Sequence, residues 1–339
     1  YLQADQQVKK ISSYISKKVA EKLDRMFRDN RAEFEKKWND IEVFIKYGML
    51  TDEKFYDAAG KFFLLRDISD RYYTLEEYRT LVEATQTDKD GDVVYLYATD
   101  RTAQYSYSRG AEEKGYNVLL LDGQLDQHLI QMLESKLGKT RFVRVDSDTP
   151  ERLIRKQDEK NADVSPLQAD LLTGIFRSQI PAIDNTNFIV EYNSLSAGDA
   201  PATVTQNEMM RRMKEMAAMQ QGMNFYGQMP DMYALVVNTE QPVVKKVLAD
   251  AVEALETEVG PLRAKVDSDN SEIEKLRKEM DSKKEESEKK ELRDKISEIE
   301  KEVGDTRSSE EKLIADYASE QPVVKQIIDL ALLQSNLLR

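Results

Sequence analysis

The chain has 339 residues, beyond the usual single-domain size, so two or three folding units with real cores are expected. Charged residues make up 33% of it and the formal net charge is −13, which repels phosphate backbones and anionic lipid and sets nucleic acid and membranes aside as partners. The absence of cysteine and the single His128 exclude disulfides, thiolate metal sites and a histidine zinc site, and fit a reducing, cytoplasmic setting.

The N-terminus has no basic-then-apolar signal pattern, and no apolar run reaches the roughly eighteen residues of a membrane helix. Val8, Ile11, Ile15, Val19, Leu23 and Phe27 recur at helical spacing and predict a first amphipathic helix. A second is expected over Arg31 to Tyr47, with Phe34, Trp38, Ile41, Phe44 and Ile45 on one side and Gly48 as its stop. A third runs from about Asp52 to Leu65, and a fourth opens at Thr74, a cap with Glu77 three residues on. Residues 1–90 thus read as a helical group.

The period then changes. Short apolar runs at Val93 to Ala98, Val118 to Leu121 and Phe142 to Val145 alternate with helices over 102–114 and 125–137, the pattern of parallel strands with right-handed crossovers. A small three-layer α/β unit is expected over 91–150. The stretch 151–165, dense in charge and without an apolar face, reads as a linker.

Residues 166–339 read as an α+β domain. A helix is expected near 167–178, a strand at Phe188 to Tyr192, a polar loop over 193–205, a helix over 206–221, a strand at Tyr233 to Val237 and a helix opening at Pro242. From 262 to 303, Leu262, Val266, Ile273, Leu276, Met280, Leu292, Ile296, Ile299 and Val303 follow the spacing of a heptad seam. Asp281 to Glu291 has no apolar residue, so an antiparallel coiled-coil hairpin over about 256–315 is expected, each limb roughly 30 Å long. One uninterrupted helix competes, since the tip lacks Gly and Pro. Gln241 to Lys245 reappears as Gln321 to Lys325, either because the two flank an inserted hairpin or by chance. Tyr1 at the start and the uncapped apolar run Leu330 to Leu338 at the end lead us to expect a fragment.

The order of residues resembles the ninety-kilodalton heat-shock chaperone (Hsp90) family in its bacterial branch. Leu2, Gln3 and Val8 to Ile11 resemble the end of the family's catalytic loop and the helix after it. Phe34, Trp38, Phe44, Lys46, Gly48, Leu64 to Arg66 and Leu75 to Tyr78 follow its middle domain. The densest likeness runs from Val94 through Tyr97, Ala98 and Thr99, then Lys114, Gly115, Val118 to Asp122, Leu125, Asp126, Gly138 and Lys139. Asn238 to Val244 is similar to the segment leading into the first dimerisation helix. The hairpin departs from the family's short connection.

The resemblance implies a middle-domain remainder over 1–150 and a C-terminal client-binding and dimerisation domain over 166–339, from an ATP-dependent chaperone. ATP and magnesium would bind in an N-terminal domain outside this sequence, so no cofactor, no metal and no complete catalytic site are expected here. Only Gln3 carries over from the catalytic loop, and it supplies neither charge nor metal for hydrolysis.

Methionines dominate 206–223. Met209, Met213, Met216 and Met219 share one helical face, which suits either ordinary core or a surface that repacks around varied apolar partners. The interleaved Arg211, Arg212, Lys214 and Glu215, together with the family's client-contacting helix at this position, favour binding of unfolded client proteins. Ala217 stands where bacterial members place a bulky aromatic. Val323, Val324, Ile327, Ile328, Ala331, Leu332 and Leu333 occupy nearly all sides of the last helix, and with Val243, Val244 and Val247 they are expected to bury against a second copy in a homodimer. Phe34, Trp38 and the tyrosines Tyr72, Tyr73, Tyr95, Tyr97, Tyr105 and Tyr107 are expected to be packing residues. A nucleotide enzyme is disfavoured because the turn Thr99 to Thr102 lacks glycine. A coiled-coil scaffold without chaperone activity is the alternative function.

Overall fold

A computed structural model describes the backbone of residues 2–157, 162–219, 229–283 and 285–338, with side chains for all of these except 2–6, 9, 218, 219 and 286. The molecule is mixed α/β, mostly helical, with small sheets and a long helical segment. It divides into two compact units, Tyr1–Glu159 and Lys160–Arg339.

Helix α1 (Leu2–Asp29) opens the first unit. Its last turns pack Ala20, Leu23, Met26 and Phe27 onto the core. The helix expected over 31–47 is two helices, α2 (Arg31–Lys36) and α3 (Trp38–Thr51). At Lys37 the ladder tightens, Lys37 N donating to Phe34 O at 3.1 Å and Asp40 N to Lys37 O at 3.0 Å, before the α-helix resumes. Helix α4 (Glu53–Ala59) begins where the Asp52 carboxylate accepts from the backbone N–H groups of Lys54 and Phe55 at 2.9 and 3.2 Å. It stops six residues short of Leu65, which instead opens strand β1 (Leu65–Arg66), paired antiparallel with β2 (Tyr72–Tyr73). The reason is burial: Phe62, Phe63, Leu64 and Leu65 are all enclosed, and a helix would turn some of four successive side chains to water.

The turn between β1 and β2 is organised by Asp67, whose buried carboxylate accepts from Ser69 N, Arg71 N and Arg71 Nε at 2.9 Å, Asn117 Nδ2 at 3.0 Å and Tyr73 OH at 3.2 Å. Five donors replace the water that burial removes. Helix α5 (Leu75–Gln86) carries the expected reciprocal cap between Thr74 and Glu77.

Strands β3 (Val93–Ala98), β4 (Val118–Leu120) and β5 (Thr140–Arg144) form a parallel sheet in the order β4-β3-β5. Between them run α6 (Tyr105–Glu113) and α7 (Asp126–Leu137), followed by the short α8 (Pro150–Leu153). Strand β3 is buried along its whole length. Its Val93, Tyr95 and Tyr97 join the cluster of α5, α7 and the helical group, while Val94, Leu96 and Ala98 join a second cluster with Tyr107 and Ala111 of α6. This two-sided burial explains its unbroken apolar run.

In the second unit, α9 (Pro166–Gln179) starts from a reciprocal cap between Ser165 and Gln168. Strands β6 (Thr186–Asn193), β7 (Ala202–Thr205) and β8 (Asp231–Asn238) form a sheet in the order β6-β8-β7, parallel at β6–β8 and antiparallel at β7–β8. Strand β7 lies inside the stretch expected to be loop. Its two core residues, Ala202 and Val204, are too short an alternation to stand out from the surrounding polar sequence. Helix α10 (Glu208–Met219) comes between β7 and β8 in sequence.

Helices α11 (Pro242–Ser282) and α12 (Glu286–Ser319) follow, then α13 (Pro322–Gln334). With 41 residues, α11 is about 60 Å long. Toward their junction, α11 and α12 bury Val266, Ile273, Ile296 and Val303 against one another, with Leu276 and Ile299 alongside. Arg277 and Glu300 pair across them at 2.7 Å, and Lys265 and Glu302 at 3.3 Å. At the other end, Leu255, Val259, Ile314 and Ala318 join the main core of the unit under the sheet. Gly174 of α9 sets the closeness there: a Cβ on it would lie 2.9 Å from Ile314 Cγ2.

Candidate functional site

Helix α10 is held by charge on one side. Arg211 is almost fully buried, and its guanidinium donates to both oxygens of Glu215 at 2.6 and 2.7 Å and to Glu208 at 2.7 Å. Arg212 Nε also reaches Glu208 at 2.7 Å, and Lys214 pairs with Asp231 at the start of β8 at 2.7 Å. Burial raises the Glu208 carboxyl, but Arg211 and Arg212 outweigh it and hold it below the usual glutamate value. This part of the anchor is therefore intact at neutral pH and is lost as pH falls through that lowered pKa.

Anchoring the polar side turns methionines toward water. Met209 is 72% exposed and Met216 42%. Met213, on the same face, is half-buried, and Met210 is exposed on the flank. Met210 and Met213 line a cleft of about 170 Å³ closed from the other side by Met229, Pro230 and Met232, with Gln206, Arg211, Lys214 and Asp231 at its rim. The cleft is apolar at its centre and thioether-lined, the chemistry of a deformable seat for an aliphatic or aromatic side chain. Ala217 is buried. The side chain of Met219, and Met223 entirely, lie outside the described residues. Met229 and Met232 escape a reading of helical period because they precede and open a strand; the signal for them is the run Met229-Pro230-Asp231-Met232 itself.

The residues assigned to a dimer interface are placed differently. Val244, Val247, Val324, Ile327, Ile328 and Leu332 are enclosed by their own unit, and Val243 and Val323 pack on the same core half-buried. The expectation for these residues is corrected: the sheet, α9 and the neighbouring helices cover sides of α13 that its composition alone assigns to a partner. Of its large apolar side chains, α13 leaves Leu330 and Leu333 to water, 52% and 53% exposed. Phe34, Trp38, Tyr95 and Tyr97 are core, as expected. His128 is exposed on α7, and the side chain of Gln3 lies outside the described ones. Among the described residues no group of His, Asp and Glu is arranged to hold a metal, and no helix is long and apolar enough to cross a membrane.

The family model described as Hsp90 protein matches residues 1–260. The chain belongs to the Hsp90 family. Chaperone protein HtpG of Bacteroides thetaiotaomicron is 46% identical over 339 residues, covering 100% of this chain and 50% of that protein. The protein of the same name from Porphyromonas gingivalis is 47% identical over 338 residues, covering 100% and 49%. Chaperone protein HtpG of Bdellovibrio bacteriovorus is 25% identical over 257 residues, covering 73% and 39%. The chain thus spans about half the length of the curated relatives it matches. The match to the Hsp90 model ends inside α11, whereas the Bacteroides and Porphyromonas relatives align across the whole chain, so both long helices lie within stretches they share with this protein.

Proposed function

We propose that this chain is the client-binding and self-associating segment of an Hsp90-family molecular chaperone of the bacterial cytoplasm. In this reading residues 1–150 are the remainder of a middle domain, 151–165 a linker, and 166–339 a C-terminal domain whose α11 and α12 form a coiled-coil hairpin insertion over about 256–315. ATP and magnesium belong to the part of the relatives' length outside this sequence, with Gln3 as the remnant of the loop that faces them. This segment alone is then not an enzyme, and the longer protein hydrolyses ATP.

The observation that carries the reading is the exposed methionine face of α10 beside its thioether-lined cleft. Unfolded clients present varied apolar side chains, and flexible thioethers repack around them. Changing Met209, Met213 and Met216 together to Ser is expected to abolish most suppression of a model protein's aggregation in light scattering, while lowering the melting temperature by only about 2 °C because two of the three face water. Loss of stability without loss of suppression would overturn it. For self-association we keep Leu333 of α13 and add Leu330, in place of the enclosed residues.

The 41- and 34-residue helices favour a second reading, a coiled-coil scaffold. Replacing 268–301 with a short glycine–serine linker leaves the base residues Val259 and Ile314 in place. Sedimentation is expected to show association unchanged; dissociation would favour the scaffold.

A further inference from the structure

Among the described residues the sheet of the second unit is finished on one edge and open on the other. Strand β7 is four residues long and begins after Pro201, two features that blunt an edge. Strand β6 is eight residues long, with no proline, lysine or glycine. The core-facing side chains differ in the same way. Leu235 and Val237 of β8 and Ala202 and Val204 of β7 are covered, whereas Val190 of β6, in register with Leu235, is half-exposed; Phe188 is half-exposed as well, as is Tyr233 of β8 on which it stacks. Among the described residues the cover over this edge is incomplete.

The direction of the free backbone groups follows from the pairing. Asp231 N donates to Asn185 O, and Thr239 N to Asn193 O, both at 2.9 Å, so the odd-numbered residues between them face β8. The even-numbered ones face away. Ile183 O occupies the outward N–H of Thr186, but the outward N–H and C=O groups of Phe188 and Val190 have no partner among the described residues. Asp184 and the outer-face Glu191 are exposed.

We infer that the β6 edge takes an extended segment of another polypeptide as a fourth strand, one that alternates apolar residues with lysine or arginine. Its backbone pairs with Phe188 and Val190, its apolar side chains complete the cover over Phe188 and Val190, and its cations meet Asp184 and Glu191. A second copy of this chain is the poorer occupant, because each copy has a net charge of −13 and brings the same acidic residues to the edge. The inference rests on the reading of the chain as a client-binding segment, and gives that segment a second, backbone-directed site.

The test uses a fluorescein-labelled octapeptide of alternating lysine and valine, titrated with the full chain by anisotropy. N-methylating the valine amides that face the edge is expected to weaken binding about tenfold or more, since each methyl removes a strand donor without altering the protein. Val190→Pro is expected to do the same, and Glu191→Lys to weaken binding and flatten its salt dependence. Equal binding of the methylated peptide, or no binding of the unmodified one, would overturn the inference. The triple methionine variant separates the two sites. If it abolishes peptide binding and methylation has no effect, the peptide sits in the thioether cleft and the edge proposal fails while the client reading stands. If the methylation effect persists in that variant, the edge proposal stands whatever becomes of aggregation suppression.

Discussion

Asp126→Ala should lower the unfolding free energy of the first unit by about 3 kcal/mol, read from urea unfolding of Trp38 fluorescence. Trp38 is the chain's only tryptophan, so the signal reports this unit alone. Lys46 of α3 is 7% exposed, and its ammonium lies 2.6 Å from Asp126 of α7 and 2.6 Å from Glu42. Asp126 in turn accepts from Gly123 N at 2.8 Å. Removing Asp126 leaves a buried cation with one remaining partner, and the cost is that of the stranded charge. A Lys46→Met, Asp126→Leu double variant should recover part of the loss, because it removes the buried cation and leaves only the partly exposed Glu42 and the Gly123 N–H without these partners. Failure of the double variant to recover would show that the pair contributes more than it costs to bury. Burial lowers the Lys46 pKa, but Asp126 and Glu42 outweigh it, so the net shift is upward from 10.5. A raised lysine pKa means the pair's contribution is complete at neutral pH and is lost only as pH rises through that value.

Trp38→Ala should cost about 3–5 kcal/mol, followed by circular dichroism since the fluorophore is gone. The indole is enclosed, with ring centres 5.6 Å from Phe63 and 6.1 Å from Phe34. Phe34 continues the set to Phe27 and Phe62. Deleting the indole opens a cavity between α2, α3 and the segment after α4, which cannot all collapse at once. A client-contacting Trp38 would behave in the opposite way, with little change in stability and weaker aggregation suppression.

The sequence was most readable where a local rule had one solution. The Thr74 and Glu77 cap was visible because hydroxyl and carboxylate sit at the required spacing. Strand β3 was visible because burial on both sides makes an apolar run that helices do not need. The break at Lys37 was not, since apolar spacing continues through it, and neither was β7, whose short alternation is hidden in polar residues. At the site, helical period placed Met209 and Met216 on one exposed face, but not the cleft, which needs Met229 and Met232 from elsewhere in the chain. The interface assignment named residues that its own unit encloses alongside the exposed Leu333 for a related reason. An all-round apolar helix such as α13 states how much surface must be covered, not whether its own sheet or a second copy covers it.

Strand β3 is a shared wall. Its alternate side chains belong to two different clusters, so neither can melt without stripping a face from the other. Residues 1–159 should therefore lose structure in a single cooperative transition, with no half-melted species in which the helical group survives and the parallel sheet does not.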